Sequence, residues 1–182
     1  LQKESAAGKL PAVPLRFRGR APATREDLAR VHSPAYVERL FSESITEELI
    51  RTYELVDADG SYHRYDPDRA ERPLEELFDR VLTTVAGSYE CCRIALEEGS
   101  CFYVSGGMHH ARQDTGDGFC LVNDVVIAAR RLQAEGHARR IWIVDLDVHK
   151  GDGTAALTAD DESIRTLSIH MADGWPLDRD MH

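Results

Sequence analysis

One short segment constrains this chain more than any other: Ile141-Trp142-Ile143-Val144-Asp145-Leu146-Asp147-Val148-His149-Lys150-Gly151-Asp152-Gly153. Its apolar half reads as a buried strand, and the strand runs straight into acids, an imidazole and glycines. Two more apolar runs, Cys101 to Val104 and Ile164 to Ile169, read as further buried strands. Amphipathic helices separate them. The first is predicted from Leu74 to about Glu98, with Leu77, Val81, Val85 and Tyr89 at three-four spacing and Gly99 to end it. The second is predicted over 122–135 and ended by Gly136. This order predicts an α/β fold: a mostly parallel sheet with helices on both faces. Ligands of such sheets bind beyond the carboxyl ends of the strands. The unusual polar residues fall there, after Val104, after Val144 and at the end of the third run.

The N-terminal part is expected to be helical after an irregular opening over 1–23. Thr24 is set to cap a helix, with Asp27 in a capping-box position. Ser33-Pro34 makes a second start, Ser33 as N-cap and Pro34 as first helical residue, and Tyr36, Val37, Leu40 and Phe41 then share a face. Residues 44–55 read as helix. Residues 57–73, with Gly60, Pro67 and Pro73, read as a loop.

Composition bounds the partners. The chain's 182 residues suffice for one domain with its own core. A net charge of −10 argues against a nucleic-acid backbone or an anionic membrane surface as partner, while it would attract a basic tail or an amine. No apolar run approaches the ~20 residues that span a bilayer. Leu1-Gln2-Lys3-Glu4 shows neither an initiator Met nor a signal peptide, so the chain is read as a fragment or a processed form. Cys91, Cys92, Cys101 and Cys120 lack CxxC spacing and are expected to be reduced core thiols of a cytoplasmic protein.

Asp147 and His149 are two apart, so in extended chain they point the same way and can share a metal. A carboxylate with an imidazole suits zinc or another first-row metal. Asp145 falls on the same face, where an acid can orient a histidine. Acids that merely end a strand and cap the next helix would explain an isolated Asp-x-Asp-x-His equally well. Three aligned polar groups after a buried strand favour a site. The second motif is Gly106-Gly107-Met108-His109-His110. One of the paired histidines can act as general base and the other as electrostatic partner if nearby acids separate their roles; Asp145 and Asp152 are available. The plainer alternative is a surface histidine pair or a weak metal site.

Together these motifs resemble the histone deacetylase-like zinc amidohydrolases. The resemblance runs from Gly106-Gly107-Met108-His109-His110 through Gly118-Phe119-Cys120-Leu121-Val122-Asn123-Asp124 and Asp145 to Gly153, and on to Ser168-Ile169-His170. Arg30 to Val37 adds an N-terminal helix motif. The wording is closer to bacterial and class IV-like members than to class I. The resemblance implies a single arginase/deacetylase-like domain over 1–182, truncated at both ends, with its motif core at 100–170.

It also implies roles. Asp147 and His149 would be zinc ligands. His110 would be the general base and acid, backed by Asp152. His109 would pair with Asp145 and stabilise charge. Gly118 and Phe119 would line the acyl-lysine tunnel, with Trp175 opposite. The carbonyls of Asp145, Asp147, His149 and Ile169, with the Asp145 and Ser168 side chains, resemble the family's monovalent cation site, usually potassium. His32 and His170 would have packing or supporting roles, and His63, His137 and His182 read as surface residues. The family's third zinc ligand and oxyanion Tyr belong to motifs that do not occur here. The implied activity is removal of an acetyl group from lysine or a polyamine. Two alternatives stand beside it: an arginase-type ureohydrolase with two manganese ions, and a binding fragment without turnover.

Overall fold

A computed structural model describes residues 21–176. Pro11, Pro14 and His182 lie outside the described residues.

Three short helices open the described chain: α1 (Arg25–Ala29), α2 (Pro34–Leu40) and α3 (Ile45–Thr52). The Thr24 hydroxyl accepts from the Asp27 N–H, and the Asp27 carboxylate accepts from the Thr24 N–H at 2.9 Å, a complete capping box. Ser33 caps α2 through its hydroxyl, with Pro34 in the first turn. The long helix α4 (Glu76–Glu98) ends at Gly99, whose left-handed conformation (φ 89°) lets its N–H reach the Ala95 carbonyl. Next come α5 (Asp124–Ala134), β1 (Ile141–Asp145), α6 (Asp152–Thr158) and β2 (Ile164–Ser168). The helix α6 stands between the two strands, as their parallel pairing requires.

The core forms where α1, α2, α3 and α4 meet α5. Leu28, Tyr36, Leu49, Val85, Leu121 and Ile127 are all buried there. Strands β1 and β2 pair in parallel, with Ile141 opposite Ile164 and Asp145 opposite Ser168. Exposure alternates along β1. Ile141 packs beside Tyr89, Ala128 and Leu132 of α4 and α5, so helices cover that side of the sheet. On the other side Trp142, Val144 and Leu167 are exposed. The expected helical cover on both faces is therefore present on one face among the described residues.

Two expectations need correction. Cys101 to Val104 is not a strand. It pairs with no neighbour among the described residues, and Phe102 and Val104 are 83% and 88% exposed. An apolar run becomes a strand only when a partner backbone completes its ladder. The segment instead rests on α4 through Tyr103, whose ring lies against Gly87. The cysteines are free, as expected, but only Cys120 is buried; Cys101 is exposed. Among the described residues, no helix is long and apolar enough to cross a membrane.

Candidate active site

The site grows from two chain segments that a third holds in place. The loop Gly106 to Arg112 carries both histidines. Its sharp entry needs glycine: Gly106 has φ 82°, and a Cβ there would lie 2.4 Å from Asp124 Oδ2. Asp124, the first residue of α5, is fully buried and accepts from the N–H groups of Gly107 (3.1 Å) and Met108 (2.7 Å) and from the Ser88 hydroxyl. Burial pushes the Asp124 carboxyl up, against the pull of these donors. Asn123 caps α5 through its side-chain oxygen, and its amide donates to Thr154 Oγ1 (3.0 Å) and the Ala111 carbonyl (3.4 Å). His32 closes the clamp. Its Nδ1–H donates to the Arg112 carbonyl at 2.9 Å, and its Nε2 accepts from the Asn123 N–H at 3.1 Å. That arrangement requires a neutral ring, and burial lowers the His32 pKa to about 4.

The second segment follows β1. The strand stops at Asp145, so the extended geometry expected through Asp147 and His149 is replaced by a tight turn. The Asp145 and Asp147 carboxylates satisfy the turn's own N–H groups: Asp147 N–H to Asp145 Oδ1 at 3.0 Å, and His149 N–H to Asp147 Oδ1 at 2.8 Å. Asp147 and His149 still meet, with His149 Nδ1 2.9 Å from Asp147 Oδ1. The His149 N–H holds the Asp147 carboxyl below its usual range.

These segments converge on two parallel pairs. His109 Nδ1 lies 2.5 Å from Asp145 Oδ2, and His110 Nδ1 lies 2.7 Å from Asp152 Oδ1. The two rings are 4.0 Å apart, and both histidines are buried. With each Nδ1–H given to a carboxylate, Nε2 is the ring nitrogen left to other partners. The pairs differ in what else they touch. His109 Nε2 is 3.8 Å from Asp147 Oδ1, whereas Asp152 shares its second oxygen with Arg112. Burial pushes the Asp152 carboxyl up, but the His110 hydrogen bond and the Arg112 charge outweigh it and hold it below its usual range.

The Trp175 ring meets the His110 ring edge-on at 4.6 Å. Gly118 sits between them: a Cβ there would lie 2.6 Å from both His110 Cδ2 and the Trp175 indole. Phe119 is half-exposed with φ 63°, an uncommon conformation for a residue with a side chain. The Arg64 guanidinium lies 5.0 Å from its ring centre. At the same carboxyl end of the sheet the Ile169 N–H donates to the Asp145 carbonyl (2.9 Å), and the Gly151 N–H donates to Ser168 Oγ (3.3 Å). His170 hydrogen-bonds Ser168 Oγ at 2.9 Å, while His63 and His137 are exposed.

The donor chemistry of Asp147 and His149 fits zinc, as one carboxylate and one imidazole on half-exposed side chains. Among the described residues, no group of three or more His, Cys, Asp and Glu side chains is arranged to hold a metal. The set is thus one protein ligand short of the three that a catalytic zinc takes. Sequence reasoning missed the clamp of Asp124, Asn123 and His32. Asn123-Asp124 opening a helix signals a cap, but their bonds to the histidine loop join residues far apart in sequence.

The described chain is a parallel α/β scaffold with two His–Asp pairs at the strand ends, a class of site that can hold and move protons. The chain belongs to the histone deacetylase domain family, whose profile matches residues 4–182, and so has the arginase/deacetylase fold. An uncharacterised protein of Picosynechococcus sp. is 38% identical over 149 residues, covering 82% of this chain and 44% of that protein. Histone deacetylase B of Dictyostelium discoideum is 35% identical, covering 84% of this chain and 34% of that protein. The acetoin utilization protein AcuC of Staphylococcus aureus is 30% identical, covering 81% and 36%. The chain thus spans less than half the length of these curated relatives.

Proposed function

We propose that this chain is part of a single deacetylase domain, with its motif core at 100–170, that hydrolyses an acyl-amide by zinc-dependent chemistry. The substrate is acetyl-lysine or an acetylated polyamine. The observation that carries the reading is the pair of buried histidines, each bound through Nδ1 to its own carboxylate. Asp147 and His149 would hold the zinc, with a remaining ligand from residues outside this chain. When bound, zinc polarises the amide carbonyl and lowers the pKa of water to ~7.

The residues of this chain do the rest. Asp152 fixes the His110 tautomer so that Nε2 is the base: it takes a proton from water and returns it to the leaving amine. Asp145 holds His109, which stabilises charge beside the reacting carbonyl. Gly118, Phe119 and Trp175 line the acyl tunnel, and Gly118 supplies the room that a side chain against His110 would fill. Asp145, Ser168 and Ile169 would hold a potassium ion beside the turn that carries Asp147 and His149. Membership of the histone deacetylase domain family favours this reading over a binuclear manganese ureohydrolase.

The test is hydrolysis of an acetyl-lysine peptide by the complete protein, with metal content measured alongside. His110→Ala is expected to retain metal and lose ~10²–10⁴ in rate, and His109→Ala a smaller factor. His149→Ala is expected to lose metal and activity together. Stoichiometric zinc in the His149→Ala protein would overturn the ligand assignment. No hydrolysis by a protein with zinc bound would leave the non-enzymatic binding reading in its place.

A further inference from the structure

Arg30, Arg112 and Arg130 line one surface cavity of about 410 Å³, and Arg112 also bonds Asp152, the partner of His110. They come from three different places: the end of α1, the histidine loop and α5. Asp114 is the one acid in the wall, and Val31, Val126 and Leu157 supply apolar surface. Three arginines around one cavity are unexpected in a chain with a net charge of −10. Each has a carboxylate partner, Glu26 at 3.0 Å for Arg30, Asp152 for Arg112 and Asp161 for Arg130, yet none of these acids lines the cavity. A guanidinium has five N–H donors, and one carboxylate leaves several unspent.

We propose that this cavity binds a phosphoryl group, and that its occupancy is coupled to the His110–Asp152 pair through Arg112. Guanidinium forks match the paired oxygens of a phosphate, and three of them suit a dianion better than a single carboxylate. The cavity also has room for a small organic body against Val31, Val126 and Leu157. Arg112 is the link. Its Nη2 donates to Asp152 Oδ2, and Asp152 Oδ1 accepts from His110 Nδ1. An anion in the cavity competes with Asp152 for one guanidinium, so each weakens the other's hold. By reciprocity, removing the Asp152 charge must tighten anion binding. The coupling rests on the catalytic reading of His110; the binding does not.

The test is calorimetric titration of the complete protein with inorganic phosphate, and in parallel with glycerol phosphate, without any turnover assay. Saturable binding is expected. Arg30→Gln should weaken it ~10-fold, the cost of one charge-assisted contact, and Arg130→Gln similarly. Arg30→Lys, which keeps the charge but loses the fork, should fall between, and thermal unfolding of each variant checks that it folds. Asp152→Asn should tighten binding several-fold. Tighter binding of glycerol phosphate assigns the site to a phosphorylated metabolite, and equal binding assigns it to free phosphate; both support the site. Absence of saturable binding, or binding that the arginine substitutions leave unchanged, overturns the proposal. Binding lost in the arginine variants but unmoved by Asp152→Asn overturns the coupling. Because no step is read through turnover, failure of the deacetylase reading leaves these outcomes distinct.

Discussion

At the scale of single residues, the two histidines show how similar side chains take different parts. Both give Nδ1–H to a carboxylate, but Asp152 is also held by Arg112, while Asp145 is tied to the turn that carries Asp147. His32 is a third case, in which the ring must stay neutral to keep its two bonds. Its pKa falls from 6.5 to about 4 on folding, so the unfolded chain binds a proton that the native protein refuses. The stability it contributes is complete above pH 6.5 and lost as pH falls toward 4. From pH 7 to 5 the loss should be roughly 2 kcal/mol. Denaturant midpoints measured across that range should show it, and His32→Gln should flatten this part of the profile while lowering stability at pH 7. A His32→Gln protein with an unchanged profile would show that the clamp is not the titrating element. Gly118→Ala tests the tunnel reading: its methyl would lie 2.6 Å from His110 and Trp175, so turnover should fall sharply with metal content intact.

At the scale of elements, caps and periodicity decide the outcome. Helices α1, α2, α4 and α5 begin or end where Thr24, Ser33, Gly99 and Asn123 stand. These are local signals that need only a few neighbouring residues. Helix α6 is different, because its position depends on close approach. A Cβ on Gly153 would sit 2.4 Å from the His110 backbone, and the Thr154 N–H donates to the His109 carbonyl at 2.9 Å. Gly153→Ala must therefore push α6, and with it Asp152, away from His110. We expect a destabilisation of ~1–3 kcal/mol by overpacking and a loss of turnover larger than Gly99→Ala produces. Gly99 has open space around it, so only its backbone conformation resists substitution. Unfolding midpoints and rates of the two variants, measured side by side, separate packing from conformation.

At the scale of the whole molecule, the described chain is a helical core with one side of a small sheet left bare. Trp142 (65% exposed), Val144 and Leu167 form that side, and Phe102 and Val104 are also exposed. Isolated apolar residues on a surface are ordinary, but several on one sheet face are a liability in water. The 182-residue chain alone should therefore bind a hydrophobic dye and associate with rising concentration. Val144→Lys with Leu167→Lys should suppress both in sedimentation and fluorescence measurements. A monomer at every concentration would mean that this face is covered in solution.

Much of this was legible from the residues themselves. Thr24 with Asp27, Ser33-Pro34 and Gly99 act over one turn of chain, so sequence alone determines those helix ends. The parallel pairing of Ile141–Asp145 with Ile164–Ser168 followed from two apolar runs separated by a polar stretch. The motifs around His109, His110, Asp147 and His149 identified the candidate site, because acids and imidazoles directly after buried strands have few structural uses. What tertiary structure decided is of another kind. Whether Cys101 to Val104 becomes a strand depends on a partner backbone, which no local pattern contains. That Asp147 and His149 meet across a turn, not along a strand, follows from their carboxylates and N–H groups satisfying one another. The clamp of His32, Asn123 and Asp124 and the Arg112–Asp152 contact join residues distant in sequence, and only packing brings such hydrogen bonds within reach.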